Sequence, residues 1–230
     1  DKELNNKFAN EILDIASESG INEILVNNNL IEEYIKNKYS NKFEFIQSVT
    51  KCERNVDNIN NACKRYKLVV IDYRDNRDND FLSKIEDKSK AEIMINDVCN
   101  FYCKQRLEHH LDIQKLILAD MDVDKAKEIG FQGIVCPYQI HYNGKISLSE
   151  FEKFVEDDRT GPITESRLNE MYEMGFRNFK IVGRDFDAPV VALNYAYYLA
   201  KEEHKQEFLD SLIYTNVNDI LESLEKYYEY

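Results

Sequence analysis

Three stretches of the chain share one design: a helical pattern ends in glycine and a short apolar run follows at once. Ala16-Ser17-Glu18-Ser19-Gly20-Ile21 leads into Glu23-Ile24-Leu25-Val26. Ala126-Lys127-Glu128-Ile129-Gly130-Phe131 leads into Gly133-Ile134-Val135-Cys136. Met171-Tyr172-Glu173-Met174-Gly175-Phe176 leads into Phe179-Lys180-Ile181-Val182. Glycine just past a helix adopts the left-handed turn without a Cβ clash, so each unit reads as helix, short loop, strand. In the first unit Leu4, Phe8, Ile12 and Ile15 recur at helical spacing and support the helix.

Further strands are expected at 43–49, 67–73 and 92–96, separated by helical patterns at 30–38 and 56–66. Helix–strand alternation with short loops means parallel strands covered by helices. No glycine-rich phosphate loop follows any strand, which disfavours a dinucleotide-binding open sheet. The expectation is an α/β chain folded as a single (β/α) TIM-type barrel over 1–230, with C-terminal helices over about 188–230. A closed barrel has eight strands and six are found. Either the first strands precede Asp1, which is not a methionine, or one lies hidden in 116–121.

Composition narrows the class. A chain of 230 residues is long enough for a buried core. No apolar run approaches the roughly 18 residues that span a bilayer, and no secretory leader pattern is present, so a soluble, cytoplasmic protein is expected. With 43 acidic against 30 basic residues, the net charge of −13 argues against a broad nucleic-acid-binding face. Five cysteines are an odd number, which favours free thiols in a reducing compartment over a disulfide framework.

In parallel α/β folds chemistry gathers at the carboxyl ends of the strands. Cys99 and Cys103 directly follow one expected strand, Cys136 ends the next, and Cys52 lies just past an earlier one. Three or four thiolates on one rim suit an iron–sulfur cluster or a closed zinc site; His109, six residues after Cys103, is a candidate zinc ligand or helix-lining residue. Cys63 shares a helical face with Val56, Ile59 and Tyr66 and reads as core. His141 and His204 carry no pattern. Asp72 and Asp97, at strand ends, are candidate general acid or base groups, and Lys180 and Arg184 are candidate anchors for an anionic substrate. No HExxH, GxSxG or Walker sequence occurs.

Several of these segments resemble one family. Asn96-Asp97-x-Cys99-x-x-x-Cys103 with His109 nearby, Cys136-Pro137, Gly161-Pro162-Ile163, Gly175-Phe176-x-x-Phe179-Lys180-Ile181-x-Gly183-Arg184 and Tyr195-x-Tyr197-Tyr198-Leu199 are similar to the collagenase-like peptidase family. That family includes proteins of oxygen-independent ubiquinone hydroxylation and of RNA hydroxylation. The resemblance covers about residues 92–203. It implies a barrel whose mouth holds a 4Fe–4S cluster, with Cys99, Cys103 and Cys136 as ligands and Cys52 as the fourth candidate. It further implies hydroxylation without molecular oxygen, with His109, Asp97, Lys180 and Arg184 shaping a pocket for a small molecule, an RNA base or a peptide. The chain departs from many relatives in carrying Lys104 after Cys103, where they have proline. Two other readings stand beside this one: a non-catalytic partner or scaffold subunit with structural zinc or free thiols, and, last, a peptidase.

Overall fold

A computed structural model describes residues 3–97, 99–134, 147–183 and 187–213. In chain order its helices are α1 (Lys7–Glu18), α2 (Asn29–Lys38), α3 (Val56–Cys63), α4 (Asn79–Ser83), α5 (Arg106–Leu118), α6 (Val123–Glu128), α7 (Leu148–Glu156), α8 (Glu165–Glu173) and α9 (Ala188–Leu199). The strands are β1 (Asn22–Val26), β2 (Phe43–Gln47), β3 (Leu68–Ile71), β4 (Ala91–Met94) and β5 (Asn178–Lys180). Side-chain caps start many of these helices: Asn6, Asn28 and Asn55 each accept a backbone N–H of the first turn that has no intrahelical partner. None of the helices among the described residues is long and apolar enough to cross a membrane.

The chain forms two compact units: Asp1–Met94, Tyr102–Pro137 and Met171–Phe179 make the first, and Ile95–Phe101, Tyr138–Glu170 and Lys180–Tyr230 the second. The strands form one sheet in the sequential order β1-β2-β3-β4-β5, with β1/β2, β2/β3 and β3/β4 each parallel. A doubly wound sheet reverses its order at a switch point; this one does not.

Register assigns the faces in the first unit. Val26 pairs with Gln47, Gln47 with Val69 and Val69 with Ala91, so these point to one side together with Ile24, Phe45, Ile71 and Ile93. Here Val69, Ile71, Ala91 and Ile93 are fully buried, each large one adding roughly 1.5–3 kcal/mol. Helix α2 covers this face, with the Lys36 amino group 4.9 Å from the Phe45 ring centre. Right-handed crossovers in a sequential sheet place successive helices on one side. The opposite face carries Glu23, Leu25, Glu44, Ile46, Val70 and Met94; Lys67 joins Glu23 and Glu44 at 2.6 and 2.5 Å. Tyr66 donates its hydroxyl to the buried Glu32 of α2 at 2.6 Å, and Lys36 and Arg65 neutralise that carboxylate.

The glycine stops form as expected: Gly20, Gly130 and Gly175 have φ of 112°, 87° and 107°. Strands follow the first and third. After the second, Gly133 and Ile134 are coil rather than strand, and Val135 and Cys136 lie outside the described residues. The hidden strand at 116–121 does not exist: residues 116–118 are the last turn of α5, and Asp120 and Met121 are in left-handed conformation. Residues 49–51 are a 3-10 turn rather than the end of β2, because Ser48 caps it by accepting the Thr50 N–H.

Helix α1 forms where the helical spacing places it, and packs through polar side chains. It turns Asn10 and Asp14 to α2, where Tyr34, Lys38 and Tyr39 bond to them. Its apolar row faces outward, with Phe8 72%, Ile12 51% and Ile15 70% exposed.

In the second unit α7 carries a full capping box from Ser147 and Glu150. Phe151 of α7 packs edge-on against Tyr197 of α9 at 5.4 Å. The buried Lys205 amino group lies between Glu165 and Glu202 and 4.5 Å from the Tyr197 ring centre.

Candidate functional site

The carboxyl end of β3 in the first unit continues as Asp72-Tyr73-Arg74-Asp75, a 3-10 turn capped by the Asp72 carboxylate on the Arg74 N–H at 3.0 Å. The Arg74 side chain folds back onto the same carboxylate through two parallel bonds of 2.8 Å, the planar fork geometry that suits guanidinium to carboxylate. Its remaining nitrogen donates to the Cys103 carbonyl oxygen at 2.8 Å. Three residues on, Arg106 opens α5, reaches Asp72 at 3.8 Å and lies 4.3 Å over the Tyr73 ring. The Cys103 loop is thus tied to the end of β3 at two points.

Asp72 is fully buried. Burial pushes its carboxyl up, but the hydrogen bonds of Arg74 and the charge of Arg106 outweigh this and hold it below the ordinary range. Asp75 goes the other way: burial raises it, and Arg54, whose Nε–H is shared between both carboxylate oxygens at 2.9 and 3.1 Å while Nη2 donates to Oδ1, does not fully offset that. Two guanidiniums outweigh burial at Asp72, whereas at Asp75 one guanidinium is outweighed by burial and a neighbouring carboxylate.

Cys52 ends the 3-10 turn after β2 in left-handed conformation, φ 50°. Its half-buried thiol feels the same cluster. Burial and Asp72 push its pKa up, Arg106 and Arg74 pull it down, and the exposed Glu108 adds a smaller upward push. Cys63 is buried as expected, its thiol pushed up to about 11 by burial. His109 sits half-buried on α5 with its ring 6.4 Å from that of His110.

In the second unit the segments quoted for the resemblance interlock. Asn96 accepts the Val182 N–H at 2.7 Å and donates to the Val182 carbonyl and to Asn194, both at 2.8 Å, so its amide stands in for a strand partner. Tyr198 places its hydroxyl between the carbonyl oxygens of Ile95 and Ile163 at 2.8 and 2.9 Å. Ile95 N–H donates to the Lys180 carbonyl at 3.1 Å. Asp97 caps the turn holding Cys99 by accepting its N–H at 2.9 Å.

The structure therefore brings Cys52, Asp72 and Cys103 to one network in the first unit, with His109 one helical turn beyond Arg106. In the second it joins Ile95 and Asn96 to the Lys180 and Val182 backbone, with Asp97 accepting the Cys99 N–H just beyond. Cys136 and Arg184 lie outside the described residues. Among the described residues no group of three or more His, Cys, Asp and Glu side chains gathers as a metal site. Sequence reasoning missed Arg106 and the Arg54–Asp75 pair. Arg106 had a signal: a cation in the first turn of a helix opposes the macrodipole, so something else must hold it there.

No protein-family profile matches the chain, and neither curated proteins nor solved structures provide a match.

Proposed function

We propose that the chain is an iron–sulfur enzyme built on the arc of a (β/α) barrel, modifying its substrate by hydroxylation without molecular oxygen. The observation that carries the reading is the Arg74 fork, which bonds Asp72 and the Cys103 carbonyl at once. It ties a candidate ligand to the end of a central strand, where such folds place their chemistry. The sequential sheet order supports the barrel, since helices on one side leave the other face to curl inward.

The donor chemistry suits a thiolate-bound cluster. Cys52 and Cys103 are half-buried free thiols; burial and Asp72 hold the Cys52 thiol above its ordinary range despite Arg106 and Arg74, so a bound metal would have to displace its proton. Cys99, Cys103 and Cys136 are the proposed ligands, with Cys52 as the fourth. A cluster bound there supplies an electron-accepting or Lewis-acidic iron. This chain's own residues do the rest. Arg74 orients the Cys103 loop, and Asp72 fixes Arg74 and Arg106. Asp97 shapes the Cys99 turn. His109 and Lys180 contribute a proton-transfer group and a cation for a small molecule, an RNA base or a peptide.

Anaerobic reconstitution with iron and sulfide tests this. Cys103→Ala is expected to lose most of the bound iron, whereas Cys63→Ala, a core substitution, keeps it in the folded fraction. Equal iron in Cys103→Ala and the parent protein would overturn the ligand assignment.

A further inference from the structure

Within the second unit, residues 95–97 and 99–101 run beside 159–163. Ile163 N–H donates to Ile95 O at 2.9 Å, Phe101 N–H donates to Arg159 O at 2.8 Å, and Asn100 bridges Thr160 in antiparallel sense. Between these ties the first strip carries the turn with Asp97 and Cys99. That turn rests on the bare Cα of Gly161. A Cβ built there would lie 2.1 Å from the Asp97 carbonyl oxygen and 3.0 Å from that of Cys99. Both obstacles are backbone, so no side-chain rotation relieves them. Gly161 is not among the glycines with positive φ; what the site requires is the absence of a side chain, not a special backbone conformation.

Neither strip has slack. Thr160 sets its hydroxyl between the carbonyls of Phe154 and Asp157 at 2.9 and 2.8 Å, holding 159–163 to the end of α7. The Tyr198 hydroxyl holds Ile95 and Ile163 at the other end. A methyl group at Gly161 must therefore lift the backbone at Asp97 and Cys99, and bringing 2.1 Å to an ordinary contact beyond 3.0 Å takes about 1 Å. Metal ligands are positioned to within about 0.2 Å, so such a lift removes a thiol from its place.

We propose that Gly161 is a positioning residue for the Cys99 thiol: the side-chain-free surface of the 159–163 strip sets where that thiol stands. Its functional meaning rests on the reading of Cys99 as a cluster ligand; the geometry does not. The test is run on reduced, metal-free protein, with alkylation by iodoacetamide followed at each cysteine by peptide mass mapping. In Gly161→Ala the Cys99 rate rises at least about five-fold, while Cys52 and Cys63 keep their rates and the circular dichroism is unchanged. Should Gly161→Ala fail to fold, Tyr198→Phe removes only the hydroxyl tie at the ribbon's end and raises the Cys99 rate about two-fold or more. A Cys99 rate equal to that of the parent protein in a folded variant overturns the proposal. Iron content of the parent protein is measured separately. If it binds no iron, the cluster reading falls, and the alkylation rates still decide whether Gly161 positions the thiol.

Discussion

Asp72→Ala removes the acceptor at the centre of the first unit's polar network. The carboxylate is fully buried and takes three hydrogen bonds from Arg74, at 2.8, 2.8 and 3.0 Å, with Arg106 at 3.8 Å. The Arg74 and Arg106 side chains are only 10% and 7% exposed, so water replaces little of what is lost. Breaking a buried pair from one side costs about 3–5 kcal/mol, because the partner charge stays buried. For a protein of this size that lowers Tm by roughly 10 °C. The loss depends on pH. Asp72 has a depressed native pKa against an unfolded value of 3.8, so its stabilisation is complete above that value and lost as pH falls through the native one. The gap between parent and variant is thus full at neutral pH and narrows below about pH 4. A second readout has a fixed sign: removing a negative charge near Cys52 favours its thiolate, so the pH profile of Cys52 alkylation shifts to lower pH. Thermal melts at several pH values and cysteine-resolved alkylation measure both. A Tm within about 2 °C of the parent, with a Cys52 profile unmoved or shifted upward, would refute the network.

Glu32→Gln removes the charge facing Tyr66, whose phenol is pushed to about 12 by burial and by the Glu32 bond; ultraviolet titration should show it falling toward its ordinary 10. Asp112, buried on α5, is raised by burial but held low by the N–H groups of Gln132, Ile134 and Gly133. Asp112→Asn should speed amide exchange at those three residues and lower Tm at neutral pH. That gap should close as pH falls through the depressed carboxyl pKa, and equal exchange rates would count against the clamp. Phe8→Ser and Ile12→Ser, on the outward row of α1, should each cost less than about 0.5 kcal/mol, read by denaturant midpoint; a loss of several kcal/mol would mean that the row is covered.

Local signals carried most of the fold. Glycine stops at Gly20 and Gly175 and the apolar runs before Asp72 and Asn96 announce their strands because backbone conformation and alternation are short-range properties. The signal after Gly130 was ambiguous, since Gly133-Ile134 has strand composition. The Asp112 carboxylate, twenty residues earlier in sequence, takes the N–H groups that a strand would have paired. Helix α1 shows the limit of periodicity: spacing identifies an apolar row but not the side on which the helix packs, and the bonds of Asn10 and Asp14 to α2 decided that. Asp72, at the centre of the first unit's polar network, was legible as a polar residue at a strand end. The pairing of Arg106 with Asp72 was not, because it depends on a contact 34 residues apart that only the fold brings together.

The central claim is a cluster on cysteines of this chain. The most direct measurement is an ultraviolet–visible spectrum of anaerobically purified protein, with iron, sulfide and zinc assayed on the same sample. A broad absorption near ~400 nm with about four irons and four sulfides per chain is the expected result. Stoichiometric zinc without colour, or no metal under strict anaerobic handling, would contradict it.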